Sequence, residues 1–158
     1  MAPVANPSDE SRPIAQPPSL EEQAFITLQR SADRLMGRFA QWLKPHGLSP
    51  TQYNALRILR GTGERGMPCQ EIGARMLTRD SDITRLVDRL EKRGLVMRSQ
   101  DGKDRRVVRA AITPSGLELL RKLDGPVQDF LRTLLGPLGQ DKLRQLIDLG
   151  EVAARRPE

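Results

Sequence analysis

Between residues 80 and 93 the apolar side chains fall at Ile83, Leu86, Val87 and Leu90. That i, i+3, i+4, i+7 stripe predicts an amphipathic helix with one buried face. Advancing about 100° per residue places Ser81, Thr84, Arg85 and Asp88 opposite the stripe, Arg79 at the N-terminal entrance and Arg89 on the flank. Gly94 ends the helix. Leu95 to Ser99 then reads as a strand, Asp101-Gly102 as a turn and Arg106 to Ile112 as the returning strand, which makes a two-stranded hairpin with a charged tip.

Upstream, Ser19-Leu-Glu-Glu22 matches a capping box, Ser19 bonding an orphan N–H and Glu22 bonding back. A long helix follows with Ala24, Ile26, Leu28, Ala32, Leu35, Met36, Phe39 and Leu43, more than one stripe wide, until Pro45 and Gly47 stop it. Ser49-Pro50-Thr51-Gln52 is a second start signal; Tyr53, Leu56, Ile58 and Leu59 form a short buried helix that ends at Gly61. Pro68 opens another short helix with Ile72, Ala74, Met76 and Leu77 facing inward. Two short helices ahead of the amphipathic one read as the first part of a DNA-reading motif.

Past the hairpin, Thr113-Pro114 caps a helix carrying Leu117, Leu119, Leu120 and Leu123, with a kink or break expected at Pro126 before Val127, Phe130, Leu131, Leu134 and Leu135. The last helix, Gln140 to about Ala154, carries Leu143, Leu146, Ile147, Leu149 and Val152. The first and last helices hold more leucine-type surface than one small reader covers, so they are expected to pack together and dimerise. The fold class is therefore mainly α with a small β-wing, a winged helix-turn-helix flanked by dimerisation helices. Residues 1–18, with five of the twelve prolines, read as a disordered arm; 19–47 as the N-terminal dimerisation helix; 48–113 as the winged helix-turn-helix; and 114–158 as the C-terminal dimerisation helices.

At 158 residues the chain is the size of one domain. Charge sharpens the picture: of a net +6, residues 75–109 carry eleven Lys or Arg against six Asp or Glu, which favours a polyanionic partner. No apolar run is long enough to span a bilayer and no secretory signal is recognisable, so a cytoplasmic protein without a membrane partner is expected. Cys69 is the one cysteine and His46 the one histidine. No intrachain disulfide can form, a nitrogen- or sulfur-rich metal site within one subunit lacks ligands, and no cofactor is expected. An enzyme is disfavoured, since His46 has no identifiable nucleophile partner and no phosphate-cradling glycine loop is present. Aromatic content of 3% leaves little for stacking on single strands.

The segment Ile83-Thr-Arg-Leu-Val-Asp-Arg-Leu-Glu-Lys-Arg-Gly-Leu-Val96, with Asp104-Arg-Arg106 and Ile112-Thr-Pro-Ser-Gly116, resembles the multiple antibiotic resistance regulator (MarR) family of winged-helix transcription factors. The likeness runs from about Leu20 to Val152, with Ile112 where the family's D-x-R-x5-L-T-x-x-G pattern has Leu. It implies a homodimer on double-stranded DNA, each recognition helix in a major groove and each wing at an adjacent minor groove, on a near-palindrome with half-sites about one turn apart.

Arg85 is suited to a bidentate guanine contact, with phosphate as its alternative ligand. Ser81 and Thr84 suit phosphate or base edges, with helix capping as the alternative for Ser81. Arg79 and Arg89 suit phosphates. The family pattern implies that Arg106 enters the minor groove with Asp104 holding it; the alternative is a salt bridge that only shapes the turn. Lys103 and Arg105 are expected on phosphates. Some relatives use a reactive cysteine in their first helix, but Cys69 lies elsewhere and reads as a buried or inert thiol. Trp42, His46 and Tyr53 stand where relatives bind aromatic anions, although residues of these types in such places are more often plain core. The leading function is a ligand-responsive repressor, a small aromatic or anionic effector shifting the population away from the DNA-bound form. A sequence-tolerant architectural DNA-binding protein and a protein-interaction module are the other classes.

Overall fold

The computed structural model describes residues 17–77, 82–101, 104 and 106–155. The predicted arm over 1–18 thus lies outside the described residues except for Pro17 and Pro18. The chain groups into two compact units, residues 1–47 and 48–158.

The first unit is helix α1, Leu20–Leu43, followed by a single 3-10 turn at Lys44–His46 that Gly47 ends at φ 69°. The Ser19 hydroxyl accepts the Glu22 N–H at 3.2 Å. Ser19 thus caps α1 through its own hydroxyl, and the Glu21 carboxyl is held below its ordinary range by hydrogen bonds to the backbone there and to the Ser19 side chain. Leu20, Phe25, Leu28 and Met36 are all exposed along this helix.

In the second unit α2 spans Pro50–Arg60, α3 Cys69–Arg75, α4 Ile83–Lys92, α5 Pro114–Leu135 and α6 Gly139–Ala154. Three short strands, β1 Met67–Pro68, β2 Val96–Gln100 and β3 Val108–Ile112, form an antiparallel sheet in the order β1-β3-β2. Ser49 and Gln52 complete the reciprocal capping box at the start of α2, with Pro50 at the first helical position where its missing N–H costs nothing. Ala55, Leu56, Leu59, Ile72, Val87, Leu90, Leu120 and Leu123 meet with essentially no exposure. Each large aliphatic chain in such a core contributes about 1.5–3 kcal/mol of transfer free energy.

Several sequence expectations change. Met67–Pro68 pairs with Ala110 and Arg109, so the predicted hairpin is a three-stranded sheet, and Pro68 precedes α3 as its N-cap instead of opening it. Proline fits there because an edge strand leaves one row of N–H groups unused. Helix α3 stops at Arg75, where Met76 turns extended. Leu77 is consequently 86% exposed instead of inward, its N–H donating to the Asn54 side chain at 3.0 Å, and Ala74 is exposed as well. The returning strand begins at Val108, because Val107 N–H donates back to the Asp104 carbonyl at 2.9 Å and closes a turn.

Finally, α5 runs through Pro126 without a break. Proline normally clashes with the Cβ of the residue before it, and Gly125 has none. Lys122, whose carbonyl loses its helical donor at Pro126, is exposed to water.

Glycine is required at two close approaches. At Gly66, with φ 56°, a Cβ would stand 2.1 Å from the Ala110 carbonyl oxygen; at Gly116 it would stand 2.4 Å from that of Leu95. The first lets β1 reach β3, and the second seats the first turn of α5 on the base of the hairpin. Among the described residues no helix is long and apolar enough to cross a membrane.

Candidate nucleic-acid interface

Helix α4 buries Leu86, Val87 and Leu90 and half-buries Ile83, against which Gly73 of α3 packs so closely that a Cβ there would lie 3.0 Å from the Ile83 side chain. The predicted stripe is thus the inner face. Thr84, Arg85 and Arg89 are exposed on the other side. Arg79 and Ser81 lie outside the described residues. The N-cap of α4 is Asp82, whose Oδ1 accepts the Arg85 N–H at 2.9 Å, so the capping role weighed for Ser81 belongs to its neighbour.

The same Asp82 carboxylate holds the Arg85 guanidinium, Oδ2 to Nε, at 3.0 Å, while the Arg85 side chain stays 77% exposed. The wing repeats the device. Asp104 Oδ1 accepts the Arg106 N–H at 2.9 Å and sits 3.8 Å from its Nε, and the Arg106 side chain is 96% exposed. In each case a short acidic side chain bonds the arginine's backbone and pairs at Nε with its guanidinium, which stays exposed to solvent. Both readings of Asp104 are therefore compatible: it shapes the turn, and it presents Arg106. Lys103 and Arg105 lie outside the described residues.

Two clefts flank α4. On one side Ser49, Thr51, Gln52, Asp82, Arg85 and Arg89 line a hollow of about 170 Å3. On the other, Thr84 faces Cys69, Gln70, Arg106 and Val108 across a hollow of about 220 Å3. Thr84 therefore belongs to the wing side, whereas Arg85 and Arg89 belong to the α2 side. The Cys69 thiol is half-buried, and burial pushes it above its ordinary range against the opposing pull of Arg98, so it is protonated at neutral pH.

Residue counting could not separate free cations from committed ones. Arg98 on β2 grips Asp88 with one arm and Glu91 with the other, 2.7 Å to Glu91 Oε2, and its backbone N–H also donates to Glu91 Oε1 at 3.2 Å. The Glu91 carboxyl is held below its ordinary range chiefly by the hydrogen bond from the Arg98 side chain. Asp88, placed on the open face by periodicity, is thus half-buried and committed. Arg109 is bound to Asp101 at 3.0 Å and to the carbonyls of Arg65 and Gly66 at 3.2 and 2.9 Å. No local signal in the sequence marks either clasp: Arg98 on β2 reaches back to helix α4, and the partners of Arg109 lie up to 44 residues away.

The candidate effector residues divide between the units. Trp42 contacts the His46 ring at a centroid distance of 5.0 Å and stacks on Phe39 at 6.2 Å in the first. Tyr53, in the second, is buried, with Arg57 5.9 Å over its ring and its phenol pushed above its ordinary range by burial. Among the described residues no group of three or more His, Cys, Asp or Glu is placed to hold a metal ion.

The fold is found in known proteins. Residues 48–108 match the model of the MarR family. The chain is 35% identical to the HTH-type transcriptional regulator MhqR of Bacillus subtilis (strain 168) over 63% of this chain and 67% of that one. The crystal structure of a MarR transcription factor from Planctomyces limnophilus superposes with a TM-score of 0.67 at 40% identity, over 87% of this chain and 99% of that one. With the HTH-type transcriptional regulator TtmR of Methylorubrum extorquens (strain PA1) the identity is 31% over 90% of this chain and 70% of its relative, and on this combined likeness the chain belongs to the MarR family.

Proposed function

We propose that this protein is a homodimeric transcriptional repressor that binds near-palindromic double-stranded DNA, α4 entering the major groove and the wing reaching the adjacent minor groove. One observation carries the reading: on α4 and at the wing tip, Arg85 and Arg106 are each fixed through the backbone by an aspartate while their guanidinium groups stay exposed. In this reading Arg85 pairs with guanine, Thr84 and Ser81 meet base edges or phosphates, and Arg79, Arg89, Lys103 and Arg105 neutralise phosphates. Arg106 enters a narrow minor groove.

Dimerisation is supported by apolar surface left uncovered in each unit: Leu20, Phe25 and Leu28 in the first, and Ile147, Leu149 and Val152 on α6 in the second. Repression is supported by the relative MprA of Escherichia coli (strain K12), a transcriptional repressor 28% identical over 116 residues. Release by a small aromatic or anionic effector is supported by a structural neighbour, PcaV from Streptomyces coelicolor, 28% identical and solved with its natural ligand. Trp42 and His46 in the first unit, and Tyr53 in the second, are the side chains proposed for effector contact, each taken within its own unit.

The test is binding to the DNA upstream of its own gene against a random duplex of equal length, at two salt concentrations. Preference for the upstream DNA that persists at the higher salt establishes a specific regulator. Equal and steeply salt-dependent binding to both would instead make it a sequence-tolerant architectural protein.

A further inference from the structure

We infer that Arg98, on strand β2, is a positioning residue that locks the wing to the DNA-reading helix through Asp88 and Glu91, without itself touching DNA. The inference rests on the DNA-binding reading above. Its basis is the number and direction of the contacts. Glu91 takes both the backbone N–H and the guanidinium Nε of Arg98, at 3.2 and 2.8 Å, and Asp88, one turn earlier on α4, takes the second arm. Side chains from two elements are thereby tied together, and a planar guanidinium holding two carboxylates permits far less rotation than a single ion pair.

Arg98 sits opposite Ala110 in the β2–β3 ladder, at the middle of the hairpin. Whatever fixes it fixes the pair of strands that leads to Arg106. Its side chain is one-third exposed and both arms are occupied, so its charge is spent within the protein. Asp88 and Glu91 would otherwise present two anions on the helix that must approach a polyanion. They are retained, on this view, as the helix side of the joint.

Relief of charge and loss of the joint predict opposite signs for one variant. Glu91→Ala removes a negative charge beside the DNA, so charge alone predicts tighter binding. Loss of the joint predicts weaker binding. The probes are a random 30-base-pair duplex and a duplex enriched from a random pool by the wild-type protein, with full-length variants Arg98→Met, Glu91→Ala and the double variant.

Arg98→Met and Glu91→Ala are each expected to weaken binding to the enriched duplex on the order of tenfold. The double variant should lose no more than the worse single one, because both break the same joint. Hydrogen exchange should show faster opening of the β2–β3 amides in both. Arg98→Lys, with a point charge that reaches one carboxylate at a time, should fall between wild type and Arg98→Met even if Arg98→Met proves poorly folded. Tighter or unchanged binding by Glu91→Ala, or losses that add in the double variant, would overturn the inference. Failure of the wild type to bind or enrich any duplex would instead overturn the function on which it rests.

Discussion

Replacing Gly116 by alanine sets two rules of protein stability against each other at one atom. Gly116 is in the first turn of α5, and by helix propensity alone alanine is favoured by about 1 kcal/mol. The added methyl, however, would lie 2.4 Å from the Leu95 carbonyl oxygen and 2.7 Å from Ile112 Cγ1. The Leu95 carbonyl cannot retreat freely, because it accepts the Thr113 N–H at 3.0 Å. Overpacking of this kind costs about 1–3 kcal/mol, and loss of the hydrogen bond adds about 1 kcal/mol. The balance is a net destabilisation of about 1–3 kcal/mol. Gly150→Ala supplies the contrast, since Gly150 is exposed on α6 with nothing within 4 Å of the added atom. It should stabilise by about 0.5–1 kcal/mol. Urea unfolding of both variants, with equal m-values, reads the two signs directly. If Gly116→Ala unfolds at the wild-type midpoint or above it while Gly150→Ala gains stability, the seating of α5 on the hairpin base is not as tight as described.

Other outcomes follow from the interface. Arg85→Ala should lower the ratio of specific to random binding by about 1–3 kcal/mol, whereas Arg89→Ala should weaken both about equally and reduce the salt slope by about 0.9; equal losses on both duplexes for both variants would defeat that division of roles. Asp104→Ala leaves the Arg106 charge in place but removes the acceptor of its N–H, at 2.9 Å, and should cost about 1 kcal/mol of affinity, measured by fluorescence anisotropy; wild-type affinity would show that the turn holds without it. Because burial raises the Cys69 thiol, iodoacetamide at pH 7.5 should label it more slowly in the native protein than in urea, and equal rates would mean an exposed, unperturbed thiol.

The helices that determine the interface were legible because their signals are local. Ile83, Leu86, Val87 and Leu90 repeat at the helical period within eight residues, and Ser49 with Gln52 announces α2 across one turn. The cap of α4 was blurred because Asp80, Ser81 and Asp82 are all capping residues, and only the observed hydrogen bond to Asp82 separates them. Strand β1 was missed because two residues carry no period and its partner Ala110 lies far along the chain. Leu77 falls inward only if the α3 stripe continues past a helix end that no proline or glycine marks. The charge clasps were invisible for a similar reason: composition counts Arg98 and Arg109 as available cations, and only tertiary pairing shows them committed.

The contact at Gly116 also makes α5 a lever. Twenty-two residues rise about 33 Å at 1.5 Å each, with the fulcrum at the first turn, where helix backbone meets strand carbonyl with no room to slide. Rotation of one degree about that point displaces the far end, near Leu135, by about 0.6 Å. Read backwards, a shift of about 6 Å imposed at the far end is felt at the base of the wing as a tilt of only about ten degrees. The far end is thus a low-force handle on the angle between helix and wing, and the short arm of the lever ends on the carbonyl of Leu95, the residue that leads directly into β2.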